Sequence, residues 1–121
     1  MCIIMEELLK KLDDMGANTK EGLERVLNKE GLYLKCLRLF TDQAAKQTMQ
    51  EALDSGDYQE LLSQTHTFKG TTGNISLIPL YEIYSSIVAD IRAEKYDGLQ
   101  EQLTQVLKLQ EEFCSVIDTW Q

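Results

Sequence analysis

The reactive side chains of this sequence concentrate in one stretch. Residues 64 to 74 read QTHTFKGTTGN and contain the single histidine, His66. Lys69 follows three positions later, with Gly70 and Gly73 beyond it. The segment otherwise reads as helix, in which residues three and four apart are neighbours. An ammonium therefore lies within reach of the imidazole, and two side chains are missing beside it. Each glycine costs about 1 kcal/mol against alanine in a helix interior. On the histidine's side of a helix, the pair implies close approach by another molecule, which no side chain would obstruct. Two plainer readings stay open: Gly73-Asn74 as a helix C-terminus, and His66 as an ordinary surface residue.

The angular positions sharpen this picture. Each helical residue advances about 100°. With Thr65 at the centre of the inward face, Tyr58, Leu61, Phe68, Thr72 and Ile75 fall within roughly 80° of it and form the core side. His66 lies about 100° away, turned toward water. Gly73 is almost in line with it two turns on, Gly70 one turn on and further out, and Lys69 one turn on and further in.

Other chemistries lack their parts. A zinc site needs three or four ligands, whereas the chain offers one histidine and three scattered cysteines, Cys2, Cys36 and Cys114. A Cys–His nucleophile pair has no local motif behind it. Neither a glycine-rich phosphate loop nor GxSxG occurs, so ATP binding and hydrolase chemistry are not expected.

The elements that must position this segment read as helical nearly throughout. Leucine and isoleucine at 3, 4, 8, 9 and 12 predict a first helix ending near Gly16. Asn18 or Thr19 is a candidate cap for a short second helix carrying Leu23, Val26 and Leu27. Gly31 then separates it from a long apolar-periodic segment, with a bend expected near Thr41 to Ala44. "DSGD" at 54 to 57 is a turn in which Ser55 or Asp57 can cap the next helix. The histidine helix spans about 58 to 73. Pro79 suits the first turn of a helix running through Leu80, Ile83, Ile87 and Ile91 to about Lys95. "YDG" at 96 to 98 breaks it, and a last helix carries Leu99, Leu103, Val106, Leu107, Leu109, Phe113 and Ile117. The expectation is an all-α single domain over residues 1 to 121. It is an antiparallel four-helix bundle with short additional N-terminal helices, residues 1 to 19 forming a capping helix.

Composition bounds the class. The 121 residues include 20 acids and 12 bases, a net charge of −8. That balance argues against nucleic-acid binding, which needs clustered lysine and arginine. The odd, dispersed cysteines fit reduced thiols in the cytoplasm. No apolar run approaches the ~20 residues of a membrane span, and the start lacks the basic lead of a signal peptide.

The order H-T-F-K-G-x-x-G-N-I from His66 resembles the signature of histidine phosphotransfer (HPt) domains of multistep phosphorelays, usually H-x-L-K-G-x-x-G-x-I/L. The resemblance extends over about residues 20 to 118, through "YLKCLRLF", "ALDSGDYQELLSQ", the proline-started helix and the last amphipathic helix. It implies that His66 is a phosphoacceptor, that Lys69 stabilises phosphoryl charge, and that Gly70 and Gly73 give a docking partner clearance. The expected partners are receiver domains of response regulators, with a hybrid histidine kinase as a further one. Mg²⁺ is expected on the receiver and no cofactor on this chain. The protein would be a monomeric phosphoryl carrier without kinase activity of its own. The sequence departs from the pattern at Phe68, at Ser76, where many relatives have glycine, and near Ala89 and Asp90, where an acidic residue is common. Alternatives are a relay-inactive interaction module, or a phosphoacceptor domain excised from a larger chemotaxis-type or hybrid kinase. A sensor-kinase dimerisation domain fits less well, because Thr67 rather than an acid follows His66.

Overall fold

The computed structural model describes residues 2 to 120, with side-chain surroundings from Met5 onward. The expected apolar contributions of Ile3 and Ile4, and the side chain of Cys2, lie outside the described residues. Cys36 and Cys114 are free thiols. The described residues form helices and no strand: α1 (Cys2–Asp14), α2 (Thr19–Arg25), α3 (Glu30–Lys46), α4 (Met49–Asp54), α5 (Tyr58–Asn74), α6 (Ile78–Arg92) and α7 (Leu99–Thr119). Among them, no helix is long and apolar enough to cross a membrane.

Local chemistry sets several helix starts. The Asn18 side chain accepts a hydrogen bond from Glu21 N, and that of Asp57 accepts one from Glu60 N. Each satisfies one of the donors that a first turn leaves unpaired. Pro79 sits in the first turn of α6. Asp13 ties α1 to α2, accepting from Thr19 N at 2.9 Å and Thr19 Oγ1 at 2.8 Å.

The core follows helical spacing. Tyr33, Leu37 and Phe40 are buried on α3; Leu61, Thr65, Phe68 and Thr72 on α5; Leu80, Tyr84, Ile87 and Ile91 on α6; and Leu103, Val106, Phe113 and Ile117 on α7. Helix α5 packs along α6, α6 along α7, and α3 and α1 against α7. At the centre, Phe68 stacks on Tyr84 at 5.3 Å and meets the edge of Phe40 at 6.3 Å. Two buried hydroxyls on α5 are satisfied inside the helix, Thr65 Oγ1 donating to Leu61 O and Thr72 Oγ1 to Phe68 O. Burial therefore leaves no unpaired polar group on that face. The expected inward face of the histidine helix matches this burial, with Tyr58 half-buried at its start.

Several sequence expectations need correction. No bend occurs at Thr41 to Ala44: α3 runs unbroken to Lys46, and the chain turns at Gln47 and Thr48. The turn is held from α5, where Gln64 Oε1 accepts from Thr48 N and Gln64 Nε2 donates to Thr48 Oγ1, both at 2.9 Å. Gly31 is not a separator but lies within the first turn of α3. The separation comes from Leu27 and Asn28, both left-handed at φ 57° and 60°. Leu27 therefore faces solvent instead of joining an apolar stripe, and is 78% exposed. Helix α5 continues one residue past Gly73, and α6 ends at Arg92, short of Lys95.

Candidate functional site

His66 is exposed on the outer side of α5, one residue past the buried Thr65. Lys69 and Gly70 follow on the next turn, the lysine half-buried and the glycine exposed. All four sequence-predicted residues, His66, Lys69, Gly70 and Gly73, line one open depression of about 550 Å³. Its remaining walls come from Glu21 and Arg25 of α2, Asn74 of α5, and Ile78 and Tyr81 of α6. The fold thus brings the four residues together and adds a wall from the N-terminal region.

The two glycines differ. A Cβ on Gly70 would meet nothing within 4 Å, so its missing side chain leaves open space over the depression. A Cβ on Gly73 would lie 3.0 Å from Tyr81 Cδ1 and 3.1 Å from Cε1. Gly73 therefore admits a ring of its own chain. Its backbone is right-handed; the left-handed position of this region is Ser76, at φ 56°. Ser76 is fully buried. A glycine would be at ease at that φ, whereas serine is strained there.

Arg25 closes the far end of the depression. Its Nη1 donates to Gly73 O and, at 3.4 Å, to Ser76 Oγ. Its Nη2 pairs with Glu21 Oε1 at 3.0 Å, and Ser76 Oγ donates to that same carboxylate at 2.9 Å. A cation at the carbonyl end of α5 complements the helix dipole. Sequence reasoning missed this clamp because Arg25 and Gly73 are 48 residues apart.

On the opposite side, His66 borders a second open depression of about 400 Å³, formed with Gln59, Leu62, Ser63, Thr67 and Arg92. Within the described residues, the side chains of His66, Lys69 and Arg92 make no hydrogen bond or ion pair. An exposed imidazole and two unengaged cations can meet an incoming anion without breaking existing contacts. No group of three or more His, Cys, Asp or Glu side chains is arranged to hold a metal among the described residues. Comparison of the chain with protein-family models, curated proteins and solved structures found no match.

Proposed function

We propose that the chain is a histidine phosphotransfer domain, with α3, α5, α6 and α7 as an antiparallel four-helix bundle. His66 accepts a phosphoryl group from a receiver-domain aspartate and passes it to another receiver. The observation that carries this reading is the shared open depression of His66, Lys69 and Gly70, in which neither the imidazole nor the ammonium is engaged. The motif H-T-F-K-G-x-x-G-N-I supports it from the sequence side.

The chemistry is direct displacement. A neutral imidazole is available near pH 7 and is nucleophilic. Its nitrogen lone pair forms a bond to phosphorus while the bond from phosphorus to the aspartyl oxygen breaks. The carboxylate leaves with that electron pair, and the ring loses its remaining N–H proton to solvent. Phosphoryl transfer needs in-line approach and compensation of charge on the equatorial oxygens. Gly70 leaves the approach open and Lys69 supplies positive charge. Mg²⁺ and the remaining catalytic groups belong to the receiver, so a small bundle without a cleft suffices. The protein acts as a monomer in the cytoplasm.

The test is incubation with a phosphorylated receiver. An acid-labile, base-stable phosphate on the parent, absent from His66→Gln, is the expected result. Label that persists in His66→Gln removes His66 as the acceptor. A parent that binds receivers yet never takes label is instead a relay-inactive interaction module.

A further inference from the structure

One buried polar residue interrupts the apolar stripe of α7. Leu103, Val106, Phe113 and Ile117 are buried at helical spacing. Gln110 holds the place between Val106 and Phe113 that such a stripe fills with an apolar side chain, and it is 3% exposed. Burying an amide is costly unless its polar atoms are bonded. Gln110 Oε1 accepts from the Tyr84 hydroxyl at 2.6 Å. Its Nε2 donates to no group among the described residues, and it is not sealed from solvent. Gln110 lines an open groove of about 320 Å³ between α3 and α7, and the unspent end of the amide faces it.

We propose that this groove binds a small uncharged ligand with an apolar body and a carbonyl oxygen, the oxygen accepting from Gln110 Nε2. No residue of the groove lines either depression at His66. The inference is therefore independent of the phosphotransfer reading.

The walls define the ligand class. Ala44 and Ala45 of α3 line the groove together with Leu107 and Cys114 of α7. The two short side chains leave the space, and the leucine makes it apolar. Burial first, then the charges of Asp118 and Glu111, push the Cys114 thiol from 9.0 up to about 11. At neutral pH it is thus an uncharged, polarizable part of the wall. The Thr41 hydroxyl on the same lining is spent on Arg38 O. The donor left at the floor is Gln110 Nε2. Glu111 adds a carboxylate, which disfavours an anion.

Water alone suits the groove poorly. The volume is about ten times the ~30 Å³ that one water occupies in the liquid. An ordered water needs several polar partners, and the alanine and leucine walls offer none. Displacing such water by an apolar body that still satisfies Nε2 is favourable.

The test titrates the full ¹⁵N-labelled chain with cyclohexanone and with methylenecyclohexane, the same ring with a CH2 group in place of the oxygen. Cyclohexanone is expected to move the Gln110 side-chain amide signal and the backbone signals of Ala44, Ala45 and Leu107 saturably, with a millimolar Kd. Methylenecyclohexane should bind about 3- to 10-fold more weakly, the worth of one neutral hydrogen bond. Cyclohexanecarboxylate should also bind more weakly than the ketone. The double variant Tyr84→Phe/Gln110→Leu removes both hydrogen-bonding groups and leaves neither orphaned, so ketone and hydrocarbon should bind it alike. Ala45→Leu fills the groove from an exposed helix position. It should lower cyclohexanone affinity at least about tenfold while the melting curve overlays that of the parent. The proposal is overturned by the absence of a saturable shift in the millimolar range, or by equal affinity of the parent for ketone and hydrocarbon. A carboxylate that binds as tightly as the ketone overturns it too, as does undiminished affinity in a folded Ala45→Leu. The two probes on the parent chain decide the role of Gln110 even where the double variant does not fold.

Discussion

The ring of Tyr81 fills the volume that a side chain on Gly73 would need, with Cδ1 3.0 Å from the position of a Cβ. One glycine of the motif is thus explained by packing between α5 and α6. The expected effect of Gly73→Ala has two opposing parts: helix propensity favours alanine by about 1 kcal/mol, while the ring must move. Tyr81 is 37% exposed and has room to swing outward. Gly73→Ala should therefore be close to neutral in the parent, and stabilising by about 1 kcal/mol in a Tyr81→Ala background. A double-mutant cycle in urea reads the difference, and a coupling below about 0.5 kcal/mol would show that the two residues are independent.

Gly70 has no such internal partner. Gly70→Ala should raise stability by up to about 1 kcal/mol, through helix propensity and a narrower unfolded ensemble. Gly70→Leu should fold as well as the parent, because its side chain would enter open space. On the proposed function, that leucine stands where the receiver must close, so affinity and transfer rate should both fall. Thermal melting and receiver binding measured on the same sample decide it. Normal binding in a normally folded Gly70→Leu would leave the glycine without a functional reason.

The parts of the fold that were legible in the sequence are those determined by near neighbours. The inward face of α5 follows from 3.6-residue periodicity, and the caps at Asn18 and Asp57 reach only three residues along the chain. What was not legible depends on contacts between distant segments. The break after α3 is fixed by Gln64, 16 residues beyond Thr48. The wall from α2 depends on Arg25 reaching the end of α5. The His66–Arg92 juxtaposition was legible in principle from the antiparallel register of two helices joined by a short turn, but it needs both helix ends placed correctly. Ser76 was noticed only as a departure from the family pattern, because the left-handed φ that makes it unusual is a property of the folded chain.

That φ leads to a measurable asymmetry. Ser76 holds 56° while fully buried, and its hydroxyl bonds Glu21. Ser76→Gly relieves the backbone but gives up the hydrogen bond, so its net change should stay within about 1 kcal/mol. Ser76→Val keeps the strain, adds a β-branch and loses the bond, and should cost about 1–3 kcal/mol. Urea midpoints for the two variants should differ clearly. A valine variant as stable as the glycine one would mean that residue 76 does not need the left-handed conformation.

Buried acids of the neutral type should make the protein sensitive to alkali. Desolvation pushes the Tyr33 and Tyr84 hydroxyls well above their usual 10.0, Tyr33 further through the charges of Asp13 and Cys36. For Tyr84, the hydrogen bond with Gln110 offsets part of the rise. The Cys114 thiol is pushed from 9.0 to about 11, by burial first and then by Asp118 and Glu111. In each case the folded chain keeps a proton that the unfolded chain releases, so stability falls as pH rises. The contribution is fully present below the thiol's unfolded value of 9.0 and declines through about 11, with the tyrosines adding to the loss from 10.0 upward. Cys114→Ala should move the onset of the decline upward by about one pH unit. Tyr84→Phe forfeits the 2.6 Å bond to Gln110 and starts from lower stability. Its curve should nevertheless be shallower above about pH 10, by up to the ~1.4 kcal/mol per pH unit that one proton carries. The slope is therefore the quantity to compare, and parallel stability–pH curves for the parent and Tyr84→Phe above pH 10 would show that the buried hydroxyl does not govern the alkaline transition.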